Sequence, residues 1–327
     1  MRTGGVVVVG SFNVDHAWTT DALPLPGQTL AGTYRSGPGG KGFNQAVAAA
    51  RSGARTTFVC ALGADMGGQL ARALAAADGI DLRDAASDAP TGTAGIFIDA
   101  AGRNSIVVGA GANATLAPAH VDAHRDAFAE AAVVLAQLES PVDAVLHALA
   151  RARAAGALAM LNPAPANAAT TPALLAACDV LMPNETEFAA LLARHAGMQV
   201  DPDEVAALDD ATLHAHCRAL LPAGTVVVTL GAAGCFVSHA EDALRGDAAA
   251  PQRIAAPRVQ AVDTTGAGDA FNGALASSLA QRPQAAFAAH MRFAVRYASA
   301  SVLQAGAAES MPRMRTDAGD EPVLPAT

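Results

Sequence analysis

The chain opens on an apolar run, the four valines at residues 6–9, closed by Gly10. An unbroken β-branched run of this kind predicts a strand buried on both faces of a parallel sheet. Similar runs recur at residues 56–61, 133–137, 157–161, 180–182 and 225–230. Between them lie longer segments with apolar residues at helical spacing, at 43–51, 69–77, 118–131, 142–155, 185–195 and 210–221. Helices at 270–281 and 284–303 complete the body, and 235–238 with 253–256 read as antiparallel strands. Repeated strand–helix units predict an α/β chain, a mostly parallel sheet covered on both faces. Two early segments break that rhythm. Residues 18–36, where Pro24, Pro26 and Gly27 interrupt alternating pieces such as 29–34, read as a hairpin standing off the body. Residues 95–99 and 105–108 form another, joined by a turn at 100–104, and the two would make a small separate sheet.

Composition narrows the classes of function. The 327 residues are 52% hydrophobic and 16% charged, which allows a sizeable core and excludes a disordered chain. A formal charge of −9 argues against general binding of nucleic acid or anionic membranes. A nucleotide remains possible where the positive potential is local. Cys60, Cys178, Cys217 and Cys235 form no C-x-x-C pair and read as reduced thiols. His214 and His216, two apart on a predicted helix, face different ways and make a poor metal pair. The first apolar run is too short for a signal peptide, and no stretch of ~18 apolar residues is free of charge. A cytoplasmic protein is expected.

Candidate chemistry gathers where strands end, the edge at which open α/β sheets bind ligands. Ser11, Asn13 and Asp15 follow the first strand, Glu139 and Asn162 follow later ones, and residues 229–234 form a glycine-bearing turn. Residues 37–42 contain G-x-G-x-x-G, but a hairpin separates it from the first strand, and it lacks the Walker A spacing. Its glycines allow close backbone approach while Lys41 and Asn44 offer donors to a polyhydroxy ligand; turn and cap chemistry explains the glycines equally well. Asn184 and Glu187 either form a capping box or point an amide and a carboxylate at Mg²⁺ and phosphate. Residues 262–273, V-D-T-T-G-A-G-D-A-F-N-G, set Gly266, Ala267 and Gly268 at a helix start, where free N–H groups favour an anion. Asp269 beside them is either a base for a hydroxyl or a helix cap.

These motifs resemble the ribokinase-like (PfkB) carbohydrate kinases across residues 6 to about 312. G-G-K-G-F-N-Q-A at 39–46 and D-T-T-G-A-G-D-A-F-N-G at 263–273 carry the resemblance. G-S-F-N-V-D-H at 10–16, G-A-D-M-G at 63–67, Q-L-E-S-P at 137–141, N-P-A-P-A at 162–166 and P-N-E-T-E at 183–187 support it. The resemblance implies a three-layer α/β/α fold with a small β-lid. One kinase domain would span 1–315, its lid drawn from about 14–38 and 92–110, with a flexible tail at 316–327. The implied activity is ATP-dependent phosphorylation of a primary sugar hydroxyl, first of all the 5-hydroxyl of D-ribose. Deoxyribose, a hexose or ketose, or a nucleoside are the alternatives within the family, and a catalytically silent sugar-binding regulator is the alternative outside it.

Carried over position by position, the resemblance places the sugar on Asn13, Asp15, Gly40, Lys41, Asn44 and Glu139. Asp269 becomes the base, and the amides of Gly266, Ala267 and Gly268 the anion hole. Asn184, Thr229, Gly231, Gly234 and Gly268 would face ATP. Glu187, with Asn184, would hold Mg²⁺ through water. An activating K⁺ would lie among Asp263, Thr265, Ser301, Gly306 and Ser310. The lid implies a homodimer, and neither nucleic acid nor membrane is an expected partner. Phe43 stands where the family motif carries a smaller alanine, and either narrows the pocket or packs in the core.

Overall fold

The computed structural model describes residues 3–314, so the tail expected from residue 316 lies outside the described residues. Nine strands build the main sheet: β1 (Gly5–Val9), β4 (Thr56–Gly63), β5 (Asp81–Ser87), β8 (Ala131–Ala136), β9 (Leu158–Leu161), β10 (Val180–Leu181), β11 (Thr225–Thr229), β12 (Cys235–Ser238) and β13 (Pro251–Ile254). Their order is β13-β12-β11-β10-β9-β8-β1-β4-β5, parallel from β11 through β5 and antiparallel at β12 and β13. Alternate residues of β1 enter different cores. Val6 and Val8 pack under one helical layer, Val7 and Val9 under the other. This two-sided burial is why the strand reads as an unbroken valine run.

The first layer holds α1 (Lys41–Arg51), α2 (Met66–Ala77), α9 (Ala267–Gln281) and α10 (Phe287–Ser301). The second holds α3 (Pro118–Ala123), α4 (Arg125–Glu130), α5 (Val142–Ala154), α6 (Pro172–Ala176), α7 (Glu185–Leu191) and α8 (Asp210–Leu220). Phe43 lies in the first core, edge-on to Phe12 at 5.0 Å and tilted against Phe58 at 5.9 Å. It packs in the core, and the pocket-narrowing alternative falls away.

A second sheet, ordered β3-β2-β6-β7, stands on the body: β2 (Asn13–Thr19), β3 (Thr33–Gly39), β6 (Gly92–Ile98) and β7 (Asn104–Gly109). Its strands differ from the sequence reading of 18–36. Pairing begins at Asn13, and residues 20–32 form a loop, because two prolines remove backbone donors and Gly27 turns the chain at φ 79°. Pro38 is tolerated because β3 is an edge strand. Asn13 and Asp15 therefore sit on the first lid strand, four and six residues beyond the end of β1. The chain leaves β1 toward β4 on one side and later returns to β8 on the other, so β1 marks the point where strand order reverses.

Candidate functional site

Gly266 caps α9 in the left-handed region (φ 76°) and contributes no side chain, so the helix starts at Ala267. Asp269 is thus the third helical residue and does not cap it. Its carboxylate turns inward, 7% exposed, and each oxygen accepts an amide: Oδ2 from Asn44 Nδ2 at 2.9 Å, Oδ1 from Gln45 Nε2 at 2.8 Å. Burial pushes its pKa above the ordinary value; Lys41 and these two amides pull against that rise, and Glu139 adds to it. Gly268, directly before it, is exposed, and a Cβ there would meet no atom within 4 Å. The Ala267 N–H is turned to the Thr264 carbonyl at 3.2 Å, whereas the Gly268 N–H has no acceptor among the described residues. Of the three amides predicted from the sequence, those of Gly266 and Gly268 are unengaged among the described residues and that of Ala267 is not.

Helix α1 delivers the second group of side chains. A Cβ on Gly40 (φ 87°) would lie 2.8 Å from Asn13 N and from Phe12 Cα, so glycine lets the backbone turn there. The Lys41 N–H at the start of α1 donates to Glu139 Oε2 at 3.0 Å, and Ser11 Oγ donates to the same oxygen at 2.6 Å. A carboxylate from the loop after β8 therefore caps α1 and favours its N-terminal dipole. Burial depresses the Lys41 ammonium, but Asp269, Glu139 and Glu187 outweigh it and hold the pKa above the ordinary value. Gly39 leaves room for Asp15, whose carboxylate a Cβ would strike. Burial first, then the charges of Glu139 and Asp269, raise Asp15 to about 6, with Arg35 opposing. Asn13, 3% exposed, is fixed by Asn113, which donates to Asn13 Oδ1 at 2.8 Å and also brackets the Phe12 backbone. Asn44 Oδ1 is a buried acceptor without a partner among the described residues.

The strand ends supply the third group. Asn184 and Glu187 form the capping box, with Glu187 N donating to Asn184 Oδ1 at 2.8 Å and Asn184 N to Glu187 Oε2 at 2.9 Å. Glu187 is 5% exposed, and burial raises its pKa. An isolated parallel bridge sets Asn184 beside Thr229. Gly234 (φ 98°) has no room for a Cβ against Ile254 and Ala256, so glycine lets that turn lie on β13. Gly231 (φ 51°) also lies in this turn, facing Glu185.

Asp263 ties three segments together. It accepts from Thr265 N at 2.9 Å and Thr265 Oγ1 at 2.6 Å, and from Gly306 N at 3.0 Å, while Arg35 of the lid approaches to 3.8 Å. Burial alone would raise its pKa; the Gly306 and Thr265 donors overcome this and hold it below the ordinary value. Ser301 and Ser310, on either side of Gly306 in sequence, are buried, their hydroxyls donating to Ala298 O and Ala307 O at 2.9 Å. Sequence reasoning assigned no role to Gln45, Gln137, Asn113 or Arg35. Gln45 and Gln137 lie inside quoted motifs; Asn113 and Arg35 carry no local signal.

Polar side chains converging at the carboxyl edge of an open α/β sheet, beneath a small β-lid, define a small-molecule-binding enzyme. The pfkB family of carbohydrate kinases matches residues 4–314, and the chain belongs to that family. It is 39% identical over 313 residues to the bifunctional ribokinase/ribose-5-phosphate isomerase A of Fructilactobacillus sanfranciscensis, covering 94% of this chain and 54% of that one. The chain thus spans about half the length of that relative. It is 37% identical over 310 residues to the ribokinase of Haemophilus influenzae, covering 94% and 95%. The solved structure of Arabidopsis thaliana ribokinase complexed with ribose and ATP superposes with a TM-score of 0.80 at 31% identity, covering 95% and 96%. The chain is an ATP-dependent sugar kinase.

Proposed function

We propose that this kinase transfers the γ-phosphoryl group of ATP to the 5-hydroxyl of D-ribose, giving ribose 5-phosphate. The observation that carries the mechanism is the Asp269 carboxylate, held by two amides, one residue after the exposed Gly268. A base there takes the hydroxyl proton while the free N–H groups at the start of α9 stabilise the transferring phosphoryl group in line. A raised pKa makes Asp269 a stronger base than an ordinary carboxylate. Asn13, Asp15, Gly40, Lys41, Asn44 and Glu139 hold the sugar, and the unpartnered Asn44 Oδ1 is an acceptor suited to a hydroxyl. Asn184, Thr229, Gly231, Gly234 and Gly268 face the nucleotide. Closing β2, β3, β6 and β7 over the sugar excludes water and protects ATP.

The residues fit two cations. Asp269, Glu139 and Glu187 act on the charge of Lys41, and Asp15 nearby is opposed only by Arg35 among the described residues. Bringing phosphates to that place calls for a divalent ion. Glu187 already gives Oε2 to the capping box, so it and Asn184 would hold Mg²⁺ through water, as that strongly hydrated ion prefers. Bound there, Mg²⁺ supplies charge neutralisation to the phosphates. Asp263, held ionised, draws the 263–265 and 306 loops together, and an all-oxygen set of Asp263, Thr265, Ser301, Gly306 and Ser310 suits K⁺.

The outer lid strand β7 has one unpaired edge, with Ile106, Val107 and Val108 exposed, and on the sheet Trp18 stacks on Phe97 and lies tilted against Tyr34. Such an edge calls for a cover, and a second copy of the lid forms the homodimer; light scattering at one protomer mass removes this reading. No described helix is long and apolar enough to cross a membrane, and all four cysteines are free and buried, which supports a cytoplasmic setting. Substrate choice is tested by ADP release across D-ribose, deoxyribose, hexoses, ketoses and nucleosides. D-ribose should give the highest kcat/KM. A higher value for another member reassigns the substrate, and no turnover with any of them returns the chain to a sugar-binding regulator.

A further inference from the structure

A chain of side-chain amides with a fixed direction runs beneath the site. It starts from a group that can only accept, the Met182 carbonyl just past β10, which takes Asn162 Nδ2 at 3.0 Å. Asn162 must then turn Oδ1 to Gln45, where it accepts from Gln45 Nε2 at 3.1 Å. The second N–H of the same Gln45 nitrogen donates to Asp269 Oδ1 at 2.8 Å, and Gln45 Oε1 accepts from Gln137 Nε2. Gln45 is fully buried, so every one of these bonds is made away from water. Rotating its amide would set Oε1 against two oxygens, those of Asn162 and Asp269. Asp269 therefore meets a donor at Oδ1 and, through Asn44, another at Oδ2, so both its oxygens are acceptors as the chain stands. Asn162 Nδ2 also reaches Glu187 Oε2 at 3.4 Å, which extends the network to the phosphate side.

We infer that Gln45 is a positioning residue: it aims the Asp269 carboxylate and keeps it ionised, with its own orientation dictated by the Met182 carbonyl through Asn162. This rests on Asp269 being the base. The Gln45 contribution is electrostatic, since a donor to the charged form favours that form.

The test is the pH profile of kcat at saturating Mg·ATP and the sugar selected by the panel, D-ribose on the present reading, with thermal melting as a check on folding. Gln45→Leu should move the acid limb of kcat upward by about one pH unit while the sugar KM changes by less than about threefold. Gln45→Glu is nearly isosteric and faces Asp269 with a second carboxyl. It should move the limb further the same way, and it decides the matter if the leucine variant does not fold. A residue that merely packs would lower the melting temperature and leave the limb in place; that outcome in a folded variant overturns the inference. Wild-type turnover in Asp269→Ala would instead remove the base itself, a result distinct from a stationary limb.

Discussion

Asp15 offers a test in which function and stability move in opposite directions. Its carboxyl is raised from 3.8 to about 6 by burial, reinforced by Glu139 and Asp269. If the ionised form accepts the sugar hydroxyls, only about a tenth of that form remains at pH 5, so sugar affinity should fall about tenfold between pH 7.5 and 5. An unshifted carboxylate would lose less than about a tenth of its ionised form over the same span. Asp15→Asn should flatten this profile and weaken binding at pH 7.5 by roughly 10- to 100-fold, the worth of a charge-assisted hydrogen bond. Stability follows from the sign of the shift. The folded pKa lies above the unfolded one, so the stabilisation of the neutral form is full below 3.8 and is lost as pH rises through 6. At pH 8 the wild type carries a burial cost on the order of 3 kcal/mol, and Asp15→Asn should relieve part of it and melt several degrees higher. Titration calorimetry with D-ribose at a series of pH values, paired with thermal melts, measures both. Sugar affinity independent of pH from 5 to 7.5, or a variant that binds as well as the wild type, would refute the reasoning.

Two further outcomes are expected. Lys41→Ala should weaken sugar binding by roughly 10- to 100-fold through loss of a charged donor, and unchanged binding by calorimetry removes Lys41 from the pocket. His290 is fully buried, bonded to Ser278 Oγ at 2.8 Å through Nδ1 with Nε2 unpartnered among the described residues; burial, then Arg282, lower it to about 4. Its neutral form stabilises the fold fully above pH 6.5, and that stability, up to about 3 kcal/mol, is lost as pH falls toward 4. Denaturant melts of His290→Met should show a shallower acid decline than the wild type; an equal slope removes His290 as the cause.

The layered α/β body was legible because β1, β8 and β11 are buried on both faces and so carry apolar runs. β5 was not: Asp81–Ser87 is a half-exposed edge strand of mixed character, without the β-branched run that marks its neighbours. The helix expected over 118–131 breaks at His124 into α3 and α4, and its last residue starts β8. The sequence predicts α9 from Ala270, three residues after its actual start, because Gly266 caps by backbone conformation and leaves no side-chain signature. That displacement kept the cap alternative for Asp269 alive in the sequence, and the inward carboxylate ends it. The capping box of Asn184 and Glu187 was readable from spacing alone. The amide chain was not, because Gln45 meets Asn162 and Asp269 across 117 and 224 residues of sequence, and pairs so distant leave no local pattern.

Phosphoryl transfer depends most on Asp269. Steady-state turnover of Asp269→Ala, measured beside calorimetric ATP binding, should fall by about 10²–10⁴ while ATP affinity stays within a few-fold of wild type. Turnover near the wild-type rate in that variant would contradict the assignment of the base and the mechanism built on it.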